Sequence, residues 1–162
     1  YLLILKVITK NMKYRVLTED EFEALKDEFV KFLIVQGIDA ASWQKMKDLE
    51  PDLAQKYLHD FSDFVFENTL QKIGYIDFFN GNSLKLFKCA SDDIQLINIE
   101  SVSKFETIQD FLKAMASDLT GFTLQRHAKK YHPNRAVELF RMISSGGLVS
   151  DGYWYEKLNE MY

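Results

Sequence analysis

An α+β architecture is expected from two features of the 162-residue sequence. Apolar residues recur at helical spacing through roughly the first seventy positions. After Gly74 they give way to short runs rich in Ile, Leu and Phe, separated by turn-forming residues, before helical spacing returns. Helices, then strands, then helices predict segregated layers, not alternating βαβ units. The expected arrangement is an N-terminal helical pair packed on a small antiparallel sheet of three or four strands, followed by C-terminal helices. The length fits one domain, taken as residues 12–162, with 1–11 as an N-terminal extension or an edge strand.

Taken in order, Thr18-Glu-Asp-Glu21 is a capping box, in which the hydroxyl and the Glu carboxylate each satisfy a free N–H. Phe22, Leu25, Phe29, Phe32 and Leu33 follow on one helical stripe, and Gly37 supplies the stop. A short helix is expected over Ala40–Lys47, capped by Asp39, with Trp43 inward. Pro51 suits the first turn of a longer helix carrying Leu53, Tyr57, Phe61, Phe64, Val65 and Leu70. Three strands are expected at Tyr75–Phe79, Ser83–Cys89 and Ile94–Ile99, with turns at Asn80-Gly-Asn82 and Ala90–Asp93. A helix over Thr107–Ala116 and a fourth strand at Gly121–Gln125 come next. Helices over Pro133–Ser144, closed by Gly146-Gly147, and over Asp151–Glu160 complete the chain. Trp154 and Tyr155 are expected in an exposed apolar patch.

Composition excludes several classes. Hydrophobic residues make up 47% and aromatic residues 14%, far from the composition of a disordered chain. One cysteine, Cys89, excludes an internal disulfide and a four-cysteine zinc site. The apolar run Tyr1–Ile8 is eight residues long and interrupted by Lys6, whereas a membrane span needs about 20. The chain starts at Tyr1, and Met12 is expected to be the biological start. No targeting signal is read, so the expected compartment is the cytoplasm. Net charge is −4, but unevenly spread: from Met12 to Leu70 there are 13 acids against seven bases, whereas 121–141 carries five cations against Glu138 alone.

Several short stretches stand out together: Met12-Lys-Tyr-Arg-Val-Leu-Thr18, Phe61-Ser-Asp63, Leu86-Phe-Lys-Cys89, Lys129-Lys-Tyr131 with Arg135, Glu138-Leu-Phe140, and Ser150-Asp-Gly152. Through them the chain, from Met12 to its C-terminus, resembles a family of small bacterial proteins with a domain of unknown function. The resemblance implies one compact domain and brings no catalytic signature with it.

Three constellations carry chemistry-bearing residues. His59 and Asp63 lie four apart on one helix face, yet His127 and His132, the remaining histidines, sit in a basic stretch that repels a cation. A solvated helix face with a local His–Asp contact is the simpler expectation. Cys89 ends an apolar strand, with its neighbour Lys88 on the opposite face, which favours a buried structural thiol. The segment 126–141 interleaves cations with Tyr131; its candidate interaction residues are Arg126, Lys129, Lys130, Tyr131, Arg135 and Arg141. Cations there neutralise phosphates or acidic side chains, and Tyr131 is placed to stack on a base. Arg135 and Glu138, three apart, are also spaced to pair with each other. Phosphate loops and a nucleophile elbow are absent from the sequence.

The expectation is a non-catalytic cytoplasmic accessory protein without cofactor or metal, acting through a protein partner or self-association and not at a membrane. The alternatives are an RNA-binding accessory protein using residues 126–141, and an enzyme whose site is not recognisable in sequence.

Overall fold

A computed structural model describes residues 13–162, so the expectations for residues 1–11 and for Met12 as the start lie outside the described residues. The chain divides into two compact units, one ending at Thr69 and the other spanning Leu70–Tyr162. Among the described residues there are seven helices and a five-stranded antiparallel sheet.

The first unit is helical. Helix α1 (Glu19–Ala24) starts at the capping box: Thr18 Oγ1 accepts from Glu21 N, and Glu21 Oε2 accepts from Thr18 N at 2.8 Å. The stripe expected to form one helix is broken at Leu25, whose φ of −111° and ψ of 21° leave the helical region. A second helix, α2 (Lys26–Val35), begins there, with Asp27 and Glu28 in its first turn, where acids favour helix initiation. Gly37, at φ +78°, ends the run. Helix α3 (Ala40–Leu49) is capped by Asp39, and α4 runs Pro51–Gln71. Phe61 of α4 is fully buried, with the rings of Phe22, Phe29 and Phe32 centred 5.0–6.0 Å from its own. Trp43 meets Phe29 edge-on at 5.3 Å. Tilted and edge-on pairs of this kind add to simple area burial.

The second unit holds the sheet. Strands β1 (Tyr75–Phe79), β2 (Ser83–Cys89), β3 (Asp93–Ser101), β4 (Phe122–Lys130) and β5 (Leu148–Ser150) lie in the order β4-β3-β2-β1-β5. The sheet therefore has five strands, not three or four. The strand left out of the expectation is β5, three residues long, which follows Gly147 directly and pairs Ile76 with Val149. Three residues are too few to show a two-residue alternation. Strand β4 also runs five residues past Gln125, because β3 offers it a partner at every position out to Asp93.

Alternation sorts the side chains into two faces. Leu84, Leu86, Ile97 and Ile99 point to one face and are buried under Phe111, Leu112 and Met115 of α5 (Ile108–Ser117) and Tyr155 and Leu158 of α7 (Tyr153–Met161). Tyr155 is thus in the core and not in an exposed patch: positions 155 and 158 share the inward helix face, while Tyr153 is 54% exposed. On the opposite face lies α6 (Arg135–Ser144), with Leu139 fully buried. Its approach needs glycine at 147, where a Cβ would come within 2.7 Å of both the Ile76 and the Phe78 side chains.

Candidate functional site

Strand β4, helix α6 and the short segment between them carry every residue expected to interact, with Tyr131 directly after the strand. Strand β4 opens inside the core, where Phe122 meets Phe111 edge-on at 5.3 Å, and its last six residues, Gln125–Lys130, are all exposed. Polar residues hold the extended conformation here because β3, itself central, supplies the ladder; pairing context outweighs propensity. As an edge strand β4 leaves one side of its backbone without a neighbouring strand among the described residues.

The candidate side chains divide in two. Arg126 donates to Asn159 Oδ1 at 2.6 Å and to the Leu158 carbonyl. Lys129 forms an ion pair with Glu138 Oε1, and Glu138 Oε2 accepts from the His132 N–H at 2.8 Å. Tyr131 donates its hydroxyl proton to the Ala90 carbonyl at 2.7 Å. Arg135 donates to four carbonyls: Ala90 at 3.1 Å, Leu70 at 2.8 Å, Ile73 at 2.5 Å and Cys89 at 3.0 Å. The Arg135–Glu138 pair read from spacing is therefore not formed; the arginine faces the strand ends and the glutamate faces β4. Lys130 and Arg141 are exposed and make no side-chain hydrogen bond or ion pair among the described residues.

Electrostatics follow these contacts. Burial raises the Glu138 carboxyl, but Lys129 and the His132 N–H outweigh it and hold the group below its usual value, so it is ionised at neutral pH. Burial pushes the Tyr131 phenol up to about 12. It pushes the Cys89 thiol up to about 11 against the opposing Arg135 charge, and Cys89 is buried, as its strand position implied.

Between α6 and the sheet lies a cavity of about 470 Å³. Phe78, Phe87 and Met142 form its apolar walls; Ser83, Lys85, Lys129 and Glu138 supply polar groups. Phe78 stands directly opposite Lys85 across β1 and β2, and its ring meets Phe87 edge-on at 5.7 Å. Lys85 has no hydrogen-bond or ion-pair partner among the described residues. Ser83 Oγ, two positions away on the same face, is buried without a partner, as is Oδ1 of Asn98, which pairs opposite Lys85 on the other side. The sequence reading missed this site because Ser83-Leu-Lys-Leu-Phe-Lys-Cys89 looks like an ordinary strand with one wet face. The available signal was that Ser83, Lys85, Phe87 and Cys89 share that face, which is too apolar to be simply solvated.

The His59–Asp63 pairing does not form. The His59 ring contacts Gln55 at 3.0 Å, and Asp63 Oδ1 accepts from the Tyr14 N–H. Among the described residues no cluster of three or more His, Cys, Asp or Glu is placed to hold a metal ion, and no helix is long and apolar enough to cross a membrane.

No curated protein and no solved structure matches the chain. A family does match, over residues 12–162 and so nearly end to end, which agrees with the resemblance carried by the motifs from Met12 to Gly152. The chain belongs to that family, a family of unknown function (DUF6495).

Proposed function

We propose that the chain is a non-catalytic binding module that takes an extended, acidic segment of a partner protein along the free edge of β4. The observation that carries this reading is the run of six exposed residues on an edge strand, four of them Arg126, His127, Lys129 and Lys130. An unpaired strand edge is a template for one more strand, with main-chain bonds for affinity and side chains for selection. Lys130, which has no partner among the described residues, rejects strands that carry its own charge, a second β4 included, and favours acidic ones. An RNA reading draws less support: the Tyr131 hydroxyl is engaged, the Arg135 guanidinium lies 6.0 Å from the centre of its ring, and Arg135 itself is spent on carbonyls. Against a catalytic reading, Cys89, Tyr131 and Glu138 are all driven away from neutral titration.

The test uses a fluorescein-labelled decapeptide of alternating Val and Glu, with a single-stranded RNA decamer in parallel. Fluorescence anisotropy should show salt-sensitive binding of the peptide, weakened about fivefold or more by Lys130→Glu. Amide hydrogen exchange should slow within residues 123–130 on binding. Tighter binding of the RNA, or peptide binding without protection of β4, overturns the proposal.

A further inference from the structure

The cavity between α6 and the sheet carries a second site, independent of the β4 edge. We infer that it binds a small monocarboxylate with an apolar body, aryl or branched alkyl, with the carboxylate on Lys85 and the body between Phe78, Phe87 and Met142.

Size comes first. A volume of about 470 Å³ falls in the range of small-molecule sites, which are mostly apolar with a few placed polar groups. The apolar part is Phe78 and Phe87, joined edge-to-face at 5.7 Å, with Met142 of α6 opposite them. Methionine adapts to ligands of different outline.

Charge selects the ligand class. Glu138, the one acid lining the cavity among the described residues, is bound by both Lys129 and the His132 N–H, so that pair brings no net charge. Lys85 is left as one uncompensated cation beside two phenyl rings. A cationic ligand would meet Lys85 with no free acid to hold it. A dianion would bring two charges to one free ammonium against apolar walls, a costly desolvation. One negative charge on an apolar body matches both features.

Hydrogen bonding adds direction. Ser83 Oγ is buried without a partner, in a residue only 8% exposed that lines the cavity. Ser83 and Lys85 are i and i+2 on one strand face, about 6–7 Å apart along the strand. A carboxylate between them can accept from the ammonium with one oxygen and from the hydroxyl with the other. That would satisfy a buried polar group now left open, a condition that ordinarily destabilises a fold.

The experiment is a titration of the 15N-labelled chain with 3-phenylpropionate, 4-methylpentanoate and indole-3-acetate. The controls are 3-phenylpropanamide, which keeps the body without the charge, and acetate, which keeps the charge without the body. At least one carboxylate of the panel should shift amides within 78–87 and 142–146, and both controls should bind about tenfold more weakly or not at all. Lys85→Met should weaken binding about tenfold, Lys85→Arg should retain most of it, and Ser83→Ala should cost severalfold. Lys85 is exposed, so these variants should fold, and their 15N spectra verify it. No shifts up to about 10 mM, equal binding of the amide, shifts confined to other residues, or indifference to Lys85→Met in a folded variant each overturn the inference. None of these outcomes depends on the β4 peptide assay.

Discussion

The Arg135 guanidinium donates to the carbonyls of Leu70, Ile73, Cys89 and Ala90, and so ties the end of α4, the entry to β1 and the turn after β2 to the first residue of α6. Charged donors to such groups contribute about 1.5–3 kcal/mol each when measured singly, and bonds from one side chain do not add in full. A lysine cannot replace the planar fork, because three donors on one nitrogen cannot span four carbonyls in different loops. Arg135→Lys should therefore cost about 2 kcal/mol and Arg135→Ala about 3–4 kcal/mol. The measurement is the urea midpoint, which should fall without a change in the slope m. A loss below about 0.5 kcal/mol for the lysine variant would show that water replaces the guanidinium cheaply. Spacing alone pointed Arg135 at Glu138, three residues on, and that local rule failed because both side chains had stronger long-range partners. Lys129, nine residues before Glu138, and Ala90, forty-five before Arg135, are invisible to a reading by neighbours. Of the six candidate residues, spacing could not separate the four side chains that bond within the fold from Lys130 and Arg141, which have no hydrogen-bond or ion-pair partner among the described residues.

Strand β5 and helix α7 meet at Gly152, which combines φ +79° with the closest contact of any glycine in the chain: a Cβ there would lie 2.4–2.5 Å from three ring atoms of Tyr75. Tyr75 cannot yield easily, since its hydroxyl is bonded to Glu156 at 2.6 Å and its ring lies beside that of Tyr155. Gly152→Ala should cost about 2–4 kcal/mol, from left-handed strain plus overpacking, and lower Tm by several degrees in a thermal melt. A variant that melts with the parent would mean the β5–α7 junction rearranges freely. Elements of this kind also mark the limit of legibility. The ranges of β1 and β2 were readable residue for residue, since each carries turn chemistry at both ends and apolar residues between. Strand β5, set by its pairing with β1, and the exposed half of β4, set by its pairing with β3, owe their conformation to a partner distant in sequence. The break at Leu25 was hidden for a related reason: the apolar stripe continues through it, and only the new acidic first turn of Asp27 and Glu28 hints at a second start.

Ionisation of the carboxylates links both units to pH. In the first unit, Glu21 is lowered to about 2 by Arg15 and the Thr18 N–H, and Glu67 is held down by Lys13 and Tyr14 despite its burial. In the second, Glu156 is lowered by Lys88 and Tyr75, and Glu138 by Lys129 and His132 despite burial. A carboxyl that ionises more readily when folded stabilises the fold above its unfolded pKa of about 4, and that stability is lost as pH falls through the folded value. Asp77 has the opposite sign. Burial raises it, with Asp151 adding to the shift and Ser150 opposing it, and its Oδ1 has no hydrogen-bond partner. Its contribution is present below the unfolded pKa and is lost as pH rises through the folded one, so at neutral pH an ionised Asp77 weakens the second unit. The second unit should thus lose stability as pH falls below about 4.5 and through the lowered folded values of Glu138 and Glu156, with Asp77 blunting the loss. Asp77→Asn keeps the shape and an acceptor for Ser150 while removing the charge. The variant should gain on the parent at pH 7, and its urea midpoint should then drop further than the parent's between pH 7 and pH 3. An equal or smaller drop would mean that Asp77 is already compensated in the folded chain, which its orphaned oxygen argues against.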